Sequence, residues 1–371
     1  MTDRGNEAYF GQRLLRWYRK ERRDLPWRRS RDPYHIWVSE IMLQQTRVDT
    51  VIPYFNRFVE RYPTLRHLAE APEEDVLKHW EGLGYYSRAR NLQAAVREVV
   101  ERYGGEVPRG KAEVSGLKGV GPYTAGAILS IAYDQPEPAV DGNVMRVLSR
   151  YFCLEDDIAR PATRTAMEGL ARSLIPEGQA ADFNQALMEL GAMVCTPKSP
   201  SCPSCPVGER CEGRLRGREK ELPVKTKPKK ARPVYRIAAL IEGTGANAGR
   251  VLVCQRPETG LLARMWELPH VEVPDDKVWG RLDEAAGRLK AALAEEGIRV
   301  RVDASEEVGE AQHVFTHLVW NIKVLGAAVL DEREAAGSGY RWVGAAEFES
   351  YAWPNVFRKL LTEYFLFRQK A

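Results

Sequence analysis

The run Cys195-Thr196-Pro197-Lys198-Ser199-Pro200-Ser201-Cys202-Pro203-Ser204-Cys205-Pro206-Val207-Gly208-Glu209-Arg210-Cys211 decides how the chain is read. Six, two and five residues separate its four cysteines. The knuckle Cys202-Pro203-Ser204-Cys205 sets two sulfurs side by side. The longer arms let Cys195 and Cys211 come round the far side of a tetrahedral metal or a cubic cluster, all four binding as thiolates. A structural zinc is the main rival, although zinc ribbons usually pair two close knuckles and this loop has one. Disulfides imply an oxidising compartment. Residues 1–23 carry many arginines but no apolar run and no small-residue cleavage site, so a reducing, cytoplasmic setting is expected. The leading reading is a 4Fe-4S cluster on Cys195, Cys202, Cys205 and Cys211. Cys153 and Cys254 lie far from the quartet and read as ordinary buried thiols.

With 371 residues, 44% of them hydrophobic, the chain has material for two or three domains with proper cores. No stretch is long and apolar enough to span a bilayer. The net charge is only +4, but Arg13, Arg16, Arg19, Lys20, Arg22, Arg23, Arg28, Arg29 and Arg31 crowd one end. That crowding suits a polyanion partner, and it equally suits a solvated helix face.

Up to residue 212, apolar residues recur at helical spacing, as in Leu92, Ala95, Val96 and Val99, which predicts an all-α domain over 1–212. Residues 213–232 are rich in Lys and Arg and read as a basic linker lying against phosphates. From 233 to 371, strand-like runs at 235–241, 250–254 and 317–324 surround one clear helix at 281–296. They predict a separate α+β domain.

Two local signals stand in the helical part. Leu117-Lys118-Gly119-Val120-Gly121-Pro122-Tyr123 places two glycines about an apolar residue, a tight hairpin whose N–H groups could meet a phosphate at a helix start. Read alone, it is equally a plain turn. Twenty residues beyond Gly121, Asp141-Gly142-Asn143 heads a new helix, where a carboxylate would stay ionised and face the same groove; on its own it reads as a helix cap.

Hairpin, downstream aspartate and cysteine loop, in this order and spacing, resemble the helix-hairpin-helix DNA glycosylases that carry a 4Fe-4S cluster, and among them the MutY adenine glycosylases most closely. The related endonuclease III branch has a lysine after the hairpin that attacks the sugar as an amine. This chain has Tyr123 there, and a phenol forms no Schiff base, so hydrolysis alone is expected. A hydrolytic purine glycosylase needs one carboxyl to protonate the leaving base and another to stay anionic beneath the sugar cation. Asp141 suits the second task. Glu40, in Val38-Ser39-Glu40-Ile41-Met42, suits the first: it reads as an acid near a helix start among apolar neighbours that raise its pKa, and the resemblance gives it adenine N7 as its target.

The resemblance also implies that Asn143 and Tyr123 attend Asp141, and that Trp27, Arg28 and Gln185 shape the adenine pocket. It further implies that Gln45, Thr46, Leu83 and Tyr85 wedge into the stack and hold the opposite base, while Gly119, Val120 and Gly121 grip the strand. The second domain resembles the Nudix, or MutT-like, fold through Gly260-Leu261-Leu262-Ala263-Arg264-Met265-Trp266-Glu267-Leu268-Pro269. Its helix shows Lys290, Ala291, Ala292, Leu293 and Ala294 where a pyrophosphatase needs carboxylates for Mg²⁺. Recognition of 8-oxoguanine, through Phe315-Thr316-His317, is therefore expected instead, with threonine where the family has serine.

The whole predicts a monomeric, bacterial-type, nucleoid-associated enzyme that excises adenine opposite 8-oxoguanine or guanine in duplex DNA. A nicking lyase and a catalytically decayed scaffold are the rivals.

Overall fold

In a computed structural model, the described residues are 4–227, 230–330 and 339–368. Residues 228–229 of the expected linker, and 331–338 and 369–371 of the expected second domain, lie outside them. The chain divides into two compact units, Met1–Ala71 with Arg88–Lys227, and Pro72–Ser87 with Pro228–Ala371.

The first unit is helical. Asp32 starts the helix Pro33–Leu43 by accepting from the N–H groups of Tyr34 and His35, and Pro33 at the first position loses no bond by lacking its own N–H. This helix is apolar nearly all round and buries Tyr34, Ile36, Trp37, Val38, Ile41 and Met42. The equally apolar helix Pro122–Tyr133 packs against it. Between helices Lys111–Gly116 and Pro122–Tyr133 runs the glycine hairpin: Leu117 and Val120 point inward, while Lys118, Gly119 and Gly121 are exposed. Gly119 has φ +79°, and a Cβ there would stand 2.8 Å from that of Asn91, so only glycine fits.

The helix Gly142–Tyr151 lies against Ala180–Met193 and Arg4–Glu21 in a core of Phe10, Leu14, Tyr18, Val147, Leu148, Phe183, Leu187 and Leu190. Cys195, Cys205 and Cys211 pack at the edge of that core. Part of the expected basic linker belongs to this unit. Leu222 is buried, its carbonyl accepting from Arg150 Nε at 2.9 Å, and Gly213 approaches the Arg150 carbonyl closely.

In the second unit, strands β1 (Arg232–Glu242), β2 (Arg250–Gln255), β3 (Trp266–Glu267), β4 (His270–Val273), β5 (Val300–Val314), β6 (Leu318–Val329) and β7 (Tyr340–Gly344) form one sheet. The order is β3-β2-β1-β6-β5, with β4 on β1 and β7 on β2; β1 and β6 run parallel, Val234 opposite Trp320 and Ala238 opposite Val324. Side chains alternate along β1 as a pleated strand requires. Val234, Ala238 and Leu240 join Trp320, Trp353 and Phe357 beneath the helix Asn355–Arg368; Ile237, Ala239 and Ile241 join Leu289 and Leu293 of the helix Leu282–Glu295.

The segment Pro72–Ser87 is fastened within this unit. Glu81, buried, accepts from Lys78 Nζ at 2.8 Å, from the Trp353 N–H at 3.0 Å and from Arg358.

Gly126, in the helix Pro122–Tyr133, lies where a Cβ would fall 2.0 Å from the Pro138 carbonyl oxygen, two residues ahead of Val140-Asp141. Backbone cannot yield as a side-chain tip can. Gly126→Ala is expected to destabilise the protein by about 1–3 kcal/mol, read as a lower urea midpoint, and to perturb the segment that presents Asp141.

Candidate active site

A cavity of about 600 Å³ opens in the helical unit. Nine of the residues picked from sequence line it: Trp27, Arg28, Glu40, Gln45, Thr46, Tyr123, Asp141, Asn143 and Gln185. They come from five separate stretches of chain, and the packing of the helices Pro33–Leu43, Pro122–Tyr133, Gly142–Tyr151 and Ala180–Met193 brings them together.

Glu40 sits in the last turn of its helix and not at the start, because Asp32-Pro33 begins that helix earlier. Its side chain is buried, and Tyr123 Oη donates to its Oε2. Tyr123 thus attends Glu40 directly, with Met188 Sδ 3.3 Å from the same hydroxyl. Burial pushes the Glu40 carboxyl up to about 7. The Tyr123 bond and the Arg28 charge pull it down, and the nearby Asp141 charge lifts it. Tyr123, half-buried, is raised well above the usual phenol value by desolvation and by the charges of Glu40 and Asp141.

Asp141 caps the helix Gly142–Tyr151. Its Oδ1 accepts from the Val144 N–H at 2.8 Å and its Oδ2 from Asn143 Nδ2 at 2.7 Å. Burial raises this carboxyl too, and the donors from Val144 and Asn143 oppose the rise without cancelling it, so the helix terminus that the sequence reading relied on to keep it ionised works against burial. The two acids therefore sit in one cavity with unlike neighbours: a single phenol for Glu40, several N–H donors for Asp141.

Asn143 is itself held, its Oδ1 accepting from Arg146 Nη2 at 2.8 Å. Arg146 also donates to the carbonyls of Cys195 and Gly191, both at 2.8 Å. One turn further, Arg150 donates to the Thr196 and Pro197 carbonyls and reaches Cys195 Sγ at 3.4 Å. All four cysteines of the loop line a second, smaller cavity with Arg150 and Arg214. Burial pushes the Cys205 thiol up to about 12 and raises those of Cys202 and Cys211, so uncompensated they stay protonated. Among the described residues, no three His, Cys, Asp or Glu side chains are drawn together tightly enough to hold one metal ion.

Some residues escaped the sequence reading. Glu189, four residues after Gln185 on the same helix face, lines the cavity and receives paired bonds from both Arg23 and Arg28, the shortest at 2.7 Å. Arg28 therefore faces the cavity as half of an ion pair. The one available signal was an acid inside the apolar run Ala186-Leu187-Met188-Glu189-Leu190.

In the other unit, Leu83 is buried, whereas Tyr85 is exposed and its hydroxyl lies 3.1 Å from Thr316 Oγ1. Phe315 packs edge-on to Trp320 at 5.0 Å, its N–H bonded to the Leu318 carbonyl across a tight turn, and the His317 carbonyl accepts from the Arg232 N–H.

Residues 38–173 match the HhH-GPD superfamily of base excision DNA repair proteins, and residues 243–363 match the NUDIX domain. The helical part is similar to a solved thermostable thymine-DNA glycosylase, with a TM-score of 0.53 and 31% identity over 57% of this chain and 98% of that one. It is also similar to endonuclease III in a non-covalent DNA complex, with a TM-score of 0.50 and 27% identity over 59% of this chain and all of that one. Together these define a base-excision DNA glycosylase with a Nudix-like second domain. Adenine DNA glycosylases of rat and human are 37% and 36% identical, over 98% and 95% of this chain and 79% and 73% of their own lengths. The chain belongs to the adenine DNA glycosylase family.

Burial alone would lift Glu189; the bonds from Arg23 and Arg28 outweigh it and hold the acid at about 2. A depressed carboxyl stabilises the fold above its ordinary value of 4.5, and that contribution fades as pH falls toward 2. Glu189→Gln strands two arginines and is expected to cost about 3–5 kcal/mol near neutrality. Denaturant melts should show the gap between parent and variant narrowing steadily as pH drops below 4.5.

Proposed function

We propose that this protein hydrolyses the N-glycosidic bond of adenine paired with 8-oxoguanine, or with guanine, in duplex DNA. The observation that carries the reading is the pair of acids in one cavity with opposed surroundings, Glu40 buried and Asp141 half-buried. Glu40, pushed up to about 7 by burial, still holds a proton in a large share of molecules near neutrality and has it to give; Asp141, bonded by the Val144 N–H and the Asn143 amide, suits a negative charge.

The adenine would be turned out of the stack into the cavity lined by Trp27, Arg28 and Gln185. Glu40 protonates it at N7, the position that the family resemblance supplies. The bond from sugar to N9 breaks with its electrons passing to the base, and the cationic sugar is stabilised by Asp141, which Asn143 orients. Water then adds to the sugar carbon and its released proton returns the site to its starting charge. Tyr123 keeps Glu40 facing the leaving group. No lysine is among the residues lining the cavity, so nothing there offers an amine to open the sugar, which supports hydrolysis without strand scission.

Gln45, exposed at a positive φ of 60°, Thr46 and Tyr85 suit the wedge and opposite-base roles; Leu83 would have to come out of its burial to join them. Gly119, Val120 and Gly121 form the backbone hairpin for phosphate contact. Phe315, Thr316 and His317 would read the 8-oxoguanine, the Thr316 hydroxyl next to that of Tyr85. On the helix Leu282–Glu295, Glu284 is occupied by Arg281 and Arg288, which favours recognition over pyrophosphate hydrolysis.

Cys195, Cys202, Cys205 and Cys211 would hold a 4Fe-4S cluster. Four thiols round one cavity, with Arg150 and Arg214 beside them, suit its sulfur ligation and net negative charge. Such a cluster supplies rigidity to the loop; the hydrolysis runs on the carboxyl groups. Purified protein should contain iron and acid-labile sulfide in equal amounts and no zinc, and Cys202→Ser should lower both together with the melting temperature. Zinc in place of iron would refute the cluster.

In single-turnover assays on adenine opposite 8-oxoguanine, Glu40→Gln should lose about 10²–10⁴-fold in rate, and Asp141→Asn about 10²–10³-fold. Parental rates in both variants would end the proposal. The parental rate should be level just below about pH 7, fall about tenfold per unit above it as Glu40 ionises, and fall again in acid as Asp141, raised from its ordinary value by burial, takes up a proton. Product strands should break only after alkali, and borohydride should trap no adduct.

A further inference from the structure

The turn that follows the Glu40 helix is held from outside the cavity. The last carbonyls of the helix Pro33–Leu43 lie beyond the reach of further turns of the same helix. Arg88, in the first turn of the helix Ser87–Arg102, supplies a donor: its Nη1 donates to the carbonyl oxygens of Ile41 at 2.7 Å, Met42 at 3.2 Å and Gln44 at 2.6 Å. A fixed cation at a helix C-terminus is favoured by the helix dipole, and charge-assisted bonds to carbonyls are strong.

What those carbonyls flank gives the contact its consequence. Gln44 leaves the helix at φ −59° and ψ 112°, and Gln45 then adopts φ +60°, a left-handed conformation that a residue with a Cβ avoids by about 1–2 kcal/mol. Thr46 closes the turn, its N–H bonded to the Leu43 carbonyl at 3.3 Å and its Oγ1 to the Gln44 carbonyl at 3.4 Å. Gln44 Nε2 reaches Thr124 Oγ1 at 3.4 Å, next to the Tyr123 that bonds Glu40. Ile41 and Met42, on one side of the guanidinium, adjoin Glu40; Gln44, on the other, adjoins Gln45. Arg88 itself does not line the cavity.

We infer that Arg88 is a positioning residue whose guanidinium ties the end of the helix bearing Glu40 to the turn bearing Gln45 and Thr46, and so sets how that turn enters the stack when a base is extruded. The inference rests on the proposed function for the role of the turn.

Excision under single turnover is compared for the parent, Arg88→Lys, Arg88→Gln and Arg88→Ala, with thermal melting of each. Stack opening is read separately, as the fluorescence rise of 2-aminopurine placed beside the target adenine, with Glu40→Gln added to every protein so that no base is released. Arg88→Ala should slow excision about 10- to 100-fold and suppress the fluorescence rise. Arg88→Lys, which keeps a cation and its donors, should recover part of both, and Arg88→Gln less. Parental behaviour of Arg88→Ala in both assays overturns the inference. So does slowed excision with an undiminished fluorescence rise. Should Arg88→Ala fail to fold, the Lys and Gln variants carry the same comparison. If the parent itself releases no adenine, the proposed function falls, and the fluorescence arm, which needs no excision, still decides the role of Arg88.

Discussion

Burying a carboxylic acid is the constraint on which the site depends. Among the described residues Glu40 has one hydrogen-bonding partner, the Tyr123 hydroxyl, and its side chain is buried, so its charged form is disfavoured. A second acid nearby makes ionising both harder still. The asymmetry of donors decides which one keeps the charge: Asp141 has the backbone N–H of Val144 and the Asn143 amide, and these ask for an anion. Burial and hydrogen bonding thus set the two acids apart, the charged form of Glu40 being the less supported of the two. Arg28, whose charge pulls the Glu40 carboxyl down, is itself paired with Glu189.

One helix connects this chemistry to the cysteine loop. Asp141 begins the helix Gly142–Tyr151, Arg146 lies a turn in, and Arg150 a turn further. Arg146 grips Asn143 on one side and the Cys195 carbonyl on the other; Arg150 fixes the carbonyls of residues 196 and 197 and touches Cys195 Sγ. A displaced loop would withdraw acceptors from buried guanidinium groups, which is costly, so its geometry and the orientation of the Asp141 side chain are mechanically linked. A loop of cysteines can therefore matter to hydrolysis without touching a substrate.

Much of this was legible in the sequence where the signal was local. The glycine hairpin, the helix cap at Asp141, and the helices with apolar spacing depend on residues a few positions apart, and those dependencies survive folding. Glu189 was not legible, because its meaning lies in Arg23 and Arg28, more than 160 residues away. Nor was Arg88, whose three acceptors are backbone oxygens and leave no mark on side-chain identity. The strand β5 was missed for a different reason. Its run Arg301-Val302-Asp303-Ala304-Ser305-Glu306-Glu307 is too polar to suggest a strand, and it is held instead by pairing along β6 with a register shift between Val302 and Glu307. The stretch 213–227 looked like a free linker because charge dominates its composition; a single apolar residue, Leu222, together with the demand of a buried arginine for a carbonyl, is enough to pin it.

In the Nudix-like unit, charged side chains are tied to one another and to a single indole ring. Glu267, in the opening motif of that fold, is buried and bound to Arg256 at 2.8 Å, with His270 Nε2 at 3.0 Å. Arg236 meets the other ring nitrogen of His270 at 3.0 Å and lies 4.3 Å over the Trp320 ring, and His270 stacks on Phe357. A guanidinium can only donate, so His270 Nδ1 must accept, which leaves its one proton on Nε2, towards Glu267. Arg236 is paired with Glu272 at 2.9 Å and Arg256 with Glu267, leaving the Glu267 carboxylate engaged within the fold. Trp320, which these arginines cover, is the ring against which Phe315 packs. The ring beneath Phe315 is thus covered by Arg236 and Arg256, and Arg256 is in turn fixed by Glu267.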